Sequence, residues 1–155
     1  VEWTPPSDGP ERPCVRVLRA DGTDTGIAFH GVPGGHEFNS FVVGLYNAAG
    51  PGQSIDPALA EAVAAIDRPL DLQIVVALSC TMCPELVIAA QKIAASNPLV
   101  TAKVYDVNHF PELRERYKIM SVPCLIINKA KVAFGKKTLG QLLELLAEPE
   151  AGQTG

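Results

Sequence analysis

The sequence predicts an α/β protein, and three observations support this class. Residues 72–78 form a near-continuous apolar run, which is typical of a strand buried on both faces of a sheet. From residue 70 to residue 147, patterns typical of strands alternate with patterns typical of helices. Apolar residues make up 47% of the 155 residues and charged residues only 19%, so the chain can bury a packed core.

The first third of the chain predicts an arm, a hairpin and a helix. Residues 1–13 are rich in proline and indicate an extended arm. Residues 14–19 alternate apolar and polar side chains, and residues 27–29 are expected to return as the second strand of a hairpin. A helix is expected over residues 36–48, with one apolar stripe formed by Phe38, Phe41, Val42, Leu45 and Tyr46.

A second set of elements follows a short helix that begins with Asp56 as its cap and Pro57 in its first turn. The last helix opens with the capping-box pattern of Thr138 and Gln141. We expect strands over residues 72–78, 100–107, 124–128 and 131–134, and helices over residues 83–96, 111–118 and 138–146. Their order, β-α-β-α-β-β-α, is similar to that of a thioredoxin fold.

The domain organisation follows from a repeated order of elements. Residues 14–48 run β-β-α, as residues 124–147 do. We therefore predict one complete thioredoxin-like unit preceded by a partial thioredoxin-like unit without a redox centre. The expected boundaries are an arm over 1–13, the partial unit over 14–68, the complete unit over 69–148 and a tail over 149–155.

The motif Ser79-Cys80-Thr81-Met82-Cys83-Pro84 lies between the buried strand and the helix that follows it. The unpaired N–H groups and partial positive charge of a helix N-terminus stabilise a thiolate. The first cysteine of such a motif is the exposed one, and the second lies one turn deeper within disulfide reach. We expect Cys80 to attack a partner disulfide and Cys83 to resolve the mixed disulfide, which makes Cys80–Cys83 the redox pair.

Two other interpretations of the motif stay open, half of a zinc site and a pair of inert buried thiols. Zinc normally takes four ligands, and only Cys14, Cys124 and three scattered histidines could complete the set. The position of the motif between a strand and a helix favours redox chemistry over zinc. We expect Cys14 and Cys124 to be single buried thiols, because a free cysteine packs like a small apolar residue.

The second motif is Val122-Pro123, directly before a predicted strand. In a thioredoxin fold this loop carries a proline that is usually cis and packs against the dithiol. A cis X-Pro bond exposes the backbone of the preceding residue for strand-like pairing with a substrate. We expect a cis bond before Pro123, and we expect Val122, Thr81 and Met82 to contact a docked partner.

Three motifs in this order resemble those of a known family: Gly35-His36-Glu37-Phe38, then Ser79-Cys80 with Cys83-Pro84, then Val122-Pro123. Together they are similar to the N-terminal domain of the flavoprotein subunit of bacterial alkyl hydroperoxide reductase. That domain is a fused pair of thioredoxin-like units, of which only the second keeps its cysteines. The resemblance covers roughly residues 26–147.

The resemblance implies an electron relay. A flavin-dependent reductase module would reduce the disulfide, and the dithiol would then reduce a peroxiredoxin-type partner. This sequence has no GxGxxG motif, so no cofactor is expected in this chain. FAD and NAD(P)H are expected only in a separate or missing reductase module.

The resemblance also implies a role for Glu37. The acidic residue of the matching motif lies near the dithiol in the family, so Glu37 would tune the thiolate or shuttle the proton released on exchange. Thioredoxins keep a buried carboxylate on the strand before the dithiol, whereas here that position falls near Ile74, within an apolar run. The alternative is an ordinary glutamate in the first turn of a helix, favoured there by the helix dipole.

Charge and hydropathy exclude several partners. The net charge is −4 and no dense stripe of Lys and Arg is present, so neither nucleic acid nor a membrane is an expected partner. The cytoplasm is the expected compartment, because a reactive cysteine pair cycles there instead of remaining a structural bridge. The alternatives to the relay are a stand-alone protein disulfide reductase or isomerase of broad specificity, and a non-catalytic module that holds zinc.

Overall fold

The computed structural model describes residues 12–148. Residues 1–11 of the predicted arm and all of the predicted tail, 149–155, lie outside the described residues. Within the described range the strands are β1 (Cys14–Leu18), β2 (Asp24–His30), β3 (Leu70–Val76), β4 (Val100–Asp106), β5 (Cys124–Ile127) and β6 (Lys131–Phe134). The helices are α1 (Glu37–Ala49), α2 (Pro57–Ala64), α3 (Cys83–Ser96), α4 (Glu112–Arg116) and α5 (Leu139–Ala147). Across residues 12–148, no helix combines the length and the apolar character that crossing a bilayer requires.

The six strands form one sheet in the order β1-β2-β4-β3-β5-β6. Strands β2, β3 and β4 run parallel, so their carboxyl ends meet at the same edge of the sheet. Strand β5 is antiparallel to β3 and begins at that edge, where Cys124 pairs with Val75. Four connections therefore converge on this edge: those that follow β2, β3 and β4, and the one that enters β5.

Two apolar clusters cover the two faces of the sheet. The larger contains Ile27, Leu72 and Leu125 from the strands together with the buried faces of α3 and α5. The smaller contains Val75 and Ile126 and is covered by the segment around α4. Neighbouring residues of one strand, such as Leu125 and Ile126, belong to different clusters because side chains alternate across a strand.

The predicted elements agree with the structure, with differences at their ends. The bounds of α3 and β6 match the prediction, and the capping box of Thr138 and Gln141 is confirmed. The prediction that Asp56 caps α2 is also confirmed, since its carboxylate accepts from the backbone N–H of Ala58. Strand β3 spans Leu70–Val76 instead of 72–78, because the chain turns at Ala77, whose carbonyl accepts from the N–H of Cys80. Helix α4 is shorter than the predicted 111–118 and ends at Arg116.

The prediction for α1 is wrong about which face of the helix is buried. Phe38, Val42 and Tyr46 are exposed, whereas Phe41 and Leu45 are partly buried against the core. The buried face instead consists of Glu37, Ser40, Gly44, Asn47 and Ala48. Helix α1 packs closely against α3, and small side chains permit that approach where bulky apolar ones would keep the two helices apart.

Candidate active site

The cysteine motif lies at the carboxyl edge of the sheet, between β3 and α3. Cys83 is the first residue of α3, a helix of 14 residues, and the preceding Met82 makes no side-chain cap. The backbone N–H of Cys80 donates to the carbonyl of Ala77 over 2.9 Å, which closes the loop. The N-terminus of α3, with its uncapped N–H groups and partial positive charge, is therefore adjacent to the dithiol.

The two thiols of the motif differ in their surroundings. Cys80 is half-buried and Cys83 is fully buried, and both are free thiols in the structure. Burial raises the pKa of the Cys83 thiol far above its usual range, and the Cys80 sulfur and the charge of Glu37 raise it further. A hydrogen bond with the backbone of Ala77 acts in the opposite direction. Cys80 is thus the accessible sulfur of the pair, while Cys83 retains its proton until a base removes it.

The loop before β5 lies beside Cys80. The Val122–Pro123 peptide bond is cis, which confirms the prediction. The Cys80 thiol donates to the carbonyl oxygen of Val122, with 3.9 Å between Sγ and O. The carbonyl of Pro123 accepts from the N–H of Gly135 over 3.0 Å, which ties this loop to the end of β6. The fold therefore brings Cys80, Val122 and Pro123 together.

Glu37 lies in the first turn of α1 and is fully buried. Its Oε1 accepts a hydrogen bond of 2.5 Å from the Ser40 hydroxyl, while Oε2 has no partner among residues 12–148. Burial raises the pKa of Glu37 to about 7, and the bond from Ser40 opposes that rise. A glutamate held in the first turn only by the helix dipole would remain solvated, so the dipole does not explain this burial.

The start of α1 is held against the loop that carries the dithiol. The N–H of His36 donates to the carbonyl of Leu78 over 2.9 Å. Gly35 has a φ of +54°, and a Cβ added there would lie 2.6 Å from the same carbonyl oxygen. Only glycine allows the two backbones to approach this closely. The motif Gly35-His36-Glu37 therefore holds the carboxyl group near enough to Cys83 for the two groups to interact electrostatically.

Exposed side chains surround the motif at this edge of the sheet. Thr81 and Met82, which lie between the cysteines, are exposed. Further exposed apolar residues lie on neighbouring segments at the same edge: Val32 after β2, Phe38 in the first turn of α1, and Met120 before β5. The structure thus leaves apolar side chains exposed at the edge of the sheet that carries Cys80.

The other two cysteines do not share the surroundings of the motif. Cys124 is fully buried, as predicted, and belongs to the cluster on the α4 side of the sheet, whereas Cys83 belongs to the cluster on the α3 side. This separation does not favour a zinc site shared with Cys124, and no group of three or more potential metal ligands occurs within residues 12–148. The prediction for Cys14 is wrong: the residue is half-buried, and its Sγ lies 3.8 Å from Nε2 of His30.

Sequence reasoning missed the polar side chains behind the dithiol. Ser40 binds Glu37, and Gln91 of α3 lies fully buried against Gly44 of α1. One signal in the sequence could have indicated the buried face of α1. Ser40, Gly44 and Ala48 are small residues at every fourth position, a spacing typical of the face by which a helix packs closely against another.

Comparisons with known proteins indicate the family of the chain. A family model described as a thioredoxin domain matches residues 70–147. The F subunit of alkyl hydroperoxide reductase from Pseudomonas aeruginosa is 33% identical over 135 residues, which cover 87% of this chain and 25% of that protein. The chain thus spans about a quarter of the length of the curated relatives that it matches.

Solved structures show the same likeness. The NTD_N/C domain of the alkyl hydroperoxide reductase AhpF from Enterococcus faecalis superposes with a TM-score of 0.85 and 42% identity, covering 88% of this chain and 66% of that one. A protein disulfide oxidoreductase from Aeropyrum pernix shares the fold, with a TM-score of 0.76 and 23% identity over 87% of this chain and 58% of that one. The likeness to the Enterococcus faecalis domain and the match to the thioredoxin domain model support a thiol–disulfide oxidoreductase role. The chain belongs to the thioredoxin domain family and resembles the N-terminal domain of the F subunit of alkyl hydroperoxide reductase.

Proposed function

We propose that the chain relays electrons by dithiol–disulfide exchange from a flavin-dependent reductase module to a peroxiredoxin-type partner. The observation that carries the proposal is the Cys80–Cys83 pair at the start of α3, with one accessible and one buried thiol. The likeness to the F subunit of alkyl hydroperoxide reductases supports the choice of donor and acceptor.

The reaction begins when the Cys80 thiolate attacks one sulfur of the partner disulfide. A mixed disulfide forms between Cys80 and that sulfur, the S–S bond of the partner breaks, and the other partner sulfur leaves as a thiolate that takes up a proton. Cys83 then loses its proton to the Glu37 carboxylate and attacks the Cys80 sulfur. The mixed disulfide breaks, and the partner sulfur that was bonded to Cys80 leaves and is protonated. Two electrons have passed to the partner, and the chain holds a Cys80–Cys83 disulfide.

The reductase module regenerates the dithiol by the reverse exchange. Its flavin and nicotinamide cofactors supply the electrons, and this chain contributes only the disulfide that receives them. We assign docking of either partner to the surface beside Cys80, with Val122, Thr81 and Met82 in contact with the partner. Val122 is favoured because its carbonyl lies beside Cys80, and Met82 because it is 52% exposed. The cytoplasm is the compartment that suits such cycling.

A thiol–disulfide titration tests the proposal. The protein is equilibrated in graded dithiothreitol buffers and trapped by alkylation, and its peptides are read by mass spectrometry. We expect a reversible Cys80–Cys83 couple near the thioredoxin range, about −270 mV. Cysteines that never pair, or that pair only after a chelator is added, would contradict the proposal.

The acceptor is tested separately. With a flavin-dependent reductase and NADH, the chain should support peroxide reduction by a peroxiredoxin and should reduce insulin poorly. Equal activity on both acceptors would instead indicate a disulfide reductase of broad specificity.

A further inference from the structure

The interface between α1 and α3 contains several buried polar groups. Glu37 has a role in the proposed exchange, but Gln91 has none so far. On α3, Cys83 and Gln91 lie two turns apart, so both face α1. On α1, the facing residues are Glu37, Ser40 and Gly44. Glu37 interacts electrostatically with Cys83 at one end of the interface, and Gly44 meets Gln91 further along. The two helices therefore run side by side with a polar tract between them.

Gln91 is the unexplained member of this tract. It is fully buried, and neither its Oε1 nor its Nε2 has a hydrogen-bond partner among residues 12–148. A Cβ on Gly44 would lie 2.5 Å from Oε1 of Gln91, so the amide rests directly against the backbone of α1. Glycine at position 44 makes the space that the amide occupies.

The same interface holds a second unpartnered atom, Oε2 of Glu37. A buried polar atom without a partner loses its hydration and gains nothing in return, so two such side chains on one interface require an explanation. Internal water is the usual partner of buried polar groups that lack a protein partner, and a stable site needs two to four polar neighbours. Glu37, Ser40 and Gln91 supply an acceptor, a hydroxyl and an amide.

We propose that internal water bridges the carboxylate of Glu37 and the side-chain amide of Gln91, and that Gln91 is a positioning residue for proton transfer from Cys83. Glu37 and Gly44 are seven residues, about 10 Å, apart along α1, so the bridge is a short chain of water. Its first molecule donates to Oε2 of Glu37, and its last accepts from Nε2 of Gln91. It thereby stabilises the carboxylate form, which is the form that can take the Cys83 proton. The inference rests on the role of Glu37 in the proposed function.

Other titratable groups near α1 do not replace this bridge. Cys83 of α3, and Cys80 in the loop before it, are the partners in the exchange itself. Lys92 of α3 points to the far end of α1, where its Nζ lies 3.1 Å from the Cβ position of Gly52. On β2, Asp24 is exposed and binds Arg16, and the ring of His30 stacks on Tyr105.

The test replaces Gln91 by methionine, which keeps the volume and removes the amide. The Glu37 carboxyl is titrated by carbon NMR in the reduced protein. We expect its midpoint to rise by about one pH unit, because the carboxylate loses a water donor. Gly44→Ala should cause a similar rise, since the added methyl group displaces the Gln91 amide. Unchanged midpoints in both variants would overturn the proposal.

Gln73→Met is the matched control. Gln73 is also buried and its Oε1 is also unpartnered within residues 12–148, but its Nε2 bonds Tyr105 on the other face of the sheet. This variant should leave the Glu37 midpoint unchanged, and an equal rise would show that the effect is not specific to Gln91. A urea unfolding curve for each variant checks that it is folded.

The rate of mixed-disulfide resolution gives the functional readout. In Gln91→Met it should fall about fivefold near pH 7, because a midpoint raised by one pH unit lowers the ionised fraction of Glu37 from about a half to about a tenth. It should recover at high pH, where Glu37 is ionised in both proteins. A fall that is equal at every pH would indicate a purely structural role for Gln91 and would contradict the proposal. If wild type shows no exchange at all, the proposed function fails, while the NMR titration still tests the water bridge.

Discussion

At the scale of single residues, the contrast between Cys80 and Cys83 allows their roles to be separated. Cys80 is accessible beside the Val122 carbonyl, whereas Cys83 is fully buried. Cys83→Ser should therefore accumulate a mixed disulfide through Cys80, because nothing remains to resolve it. Cys80→Ser should form none, since Cys83 cannot reach the partner. Non-reducing gels with an oxidised peroxiredoxin would show the trapped complex.

Cys124→Ser is the control for this trapping experiment. Cys124 lies in the cluster on the α4 side of the sheet, and burial raises the pKa of its thiol to about 11. The variant should exchange disulfides as wild type does. A complex trapped equally by Cys80→Ser and Cys83→Ser would contradict the assigned roles.

Glu37 should make the stability of the protein depend on pH. Its pKa rises from 4.5 to about 7 on folding, so the folded chain keeps a proton that the unfolded chain has lost. The stabilisation from this proton is complete below pH 4.5 and is lost as the pH rises through about 7. It amounts to roughly 3 kcal/mol. Glu37→Gln should remove this dependence, measured as urea unfolding free energies at several pH values.

A matched glutamate provides the control for that measurement. Glu85 also lies in the first turn of a helix, α3, but is exposed. Glu85→Gln should leave the pH dependence of wild type intact. If Glu37→Gln also leaves it intact, the carboxyl is not the buried acid that the structure indicates.

At the scale of elements, the sequence is a good guide where local chemistry decides the structure. Helix α3 and strand β6 have the predicted bounds, and the Thr138 cap forms as its pattern indicates. The buried face of α1 could not be predicted in the same way. Its apolar residues suggest one face, but the close approach of α3 selects the face with Ser40 and Gly44. That choice depends on a partner helix more than thirty residues away.

The same limit applies to the candidate site. Cys80, Cys83 and Pro123 are evident from motif and context, because the chemistry of each depends on its neighbours in the chain. The burial of Glu37 arises from packing between α1 and α3, which composition does not reveal. Gln91 has no local motif at all.

The junction between α1 and the dithiol loop can be tested at Gly35. An alanine there would place its Cβ 2.6 Å from the Leu78 carbonyl oxygen, so one of the two segments must move. We expect a loss of about 1–3 kcal/mol in unfolding free energy and faster alkylation of Cys83, because the loop shifts. Urea unfolding and timed alkylation measure the two effects.

Gly22→Ala is the control that distinguishes backbone strain from a steric clash. Gly22 has a φ of +88°, also left-handed, but nothing lies within 4 Å of its Cβ position. This variant should lose about 1 kcal/mol and leave the alkylation rate of Cys83 unchanged. Faster alkylation in both variants would show that general destabilisation exposes Cys83.

At the scale of the whole molecule, the parallel pairing of β2 with β4 joins the first third of the chain to the rest. Ile27 of β2 pairs with Ala102 of β4, and both belong to the larger apolar cluster. The hairpin β1-β2 and helix α1 repeat the order of β5, β6 and α5. The boundaries of the two units stay a prediction, but the sheet and the larger core run through both.

A shared core predicts that the described chain unfolds in one step. Ile27→Ala should cost about 2–5 kcal/mol. Two urea midpoints should fall by the same amount. One is measured by circular dichroism, and the other by labelling of Cys124, a buried thiol of β5. Ile127→Ala, a cavity on β5 itself, is the matched variant and should act alike on both probes. If Ile27→Ala instead splits the circular dichroism transition and leaves Cys124 labelling at the wild-type midpoint, the first third folds as a separate unit. The position of Glu37 near Cys83 would then depend on docking between two units and no longer on one cooperative core.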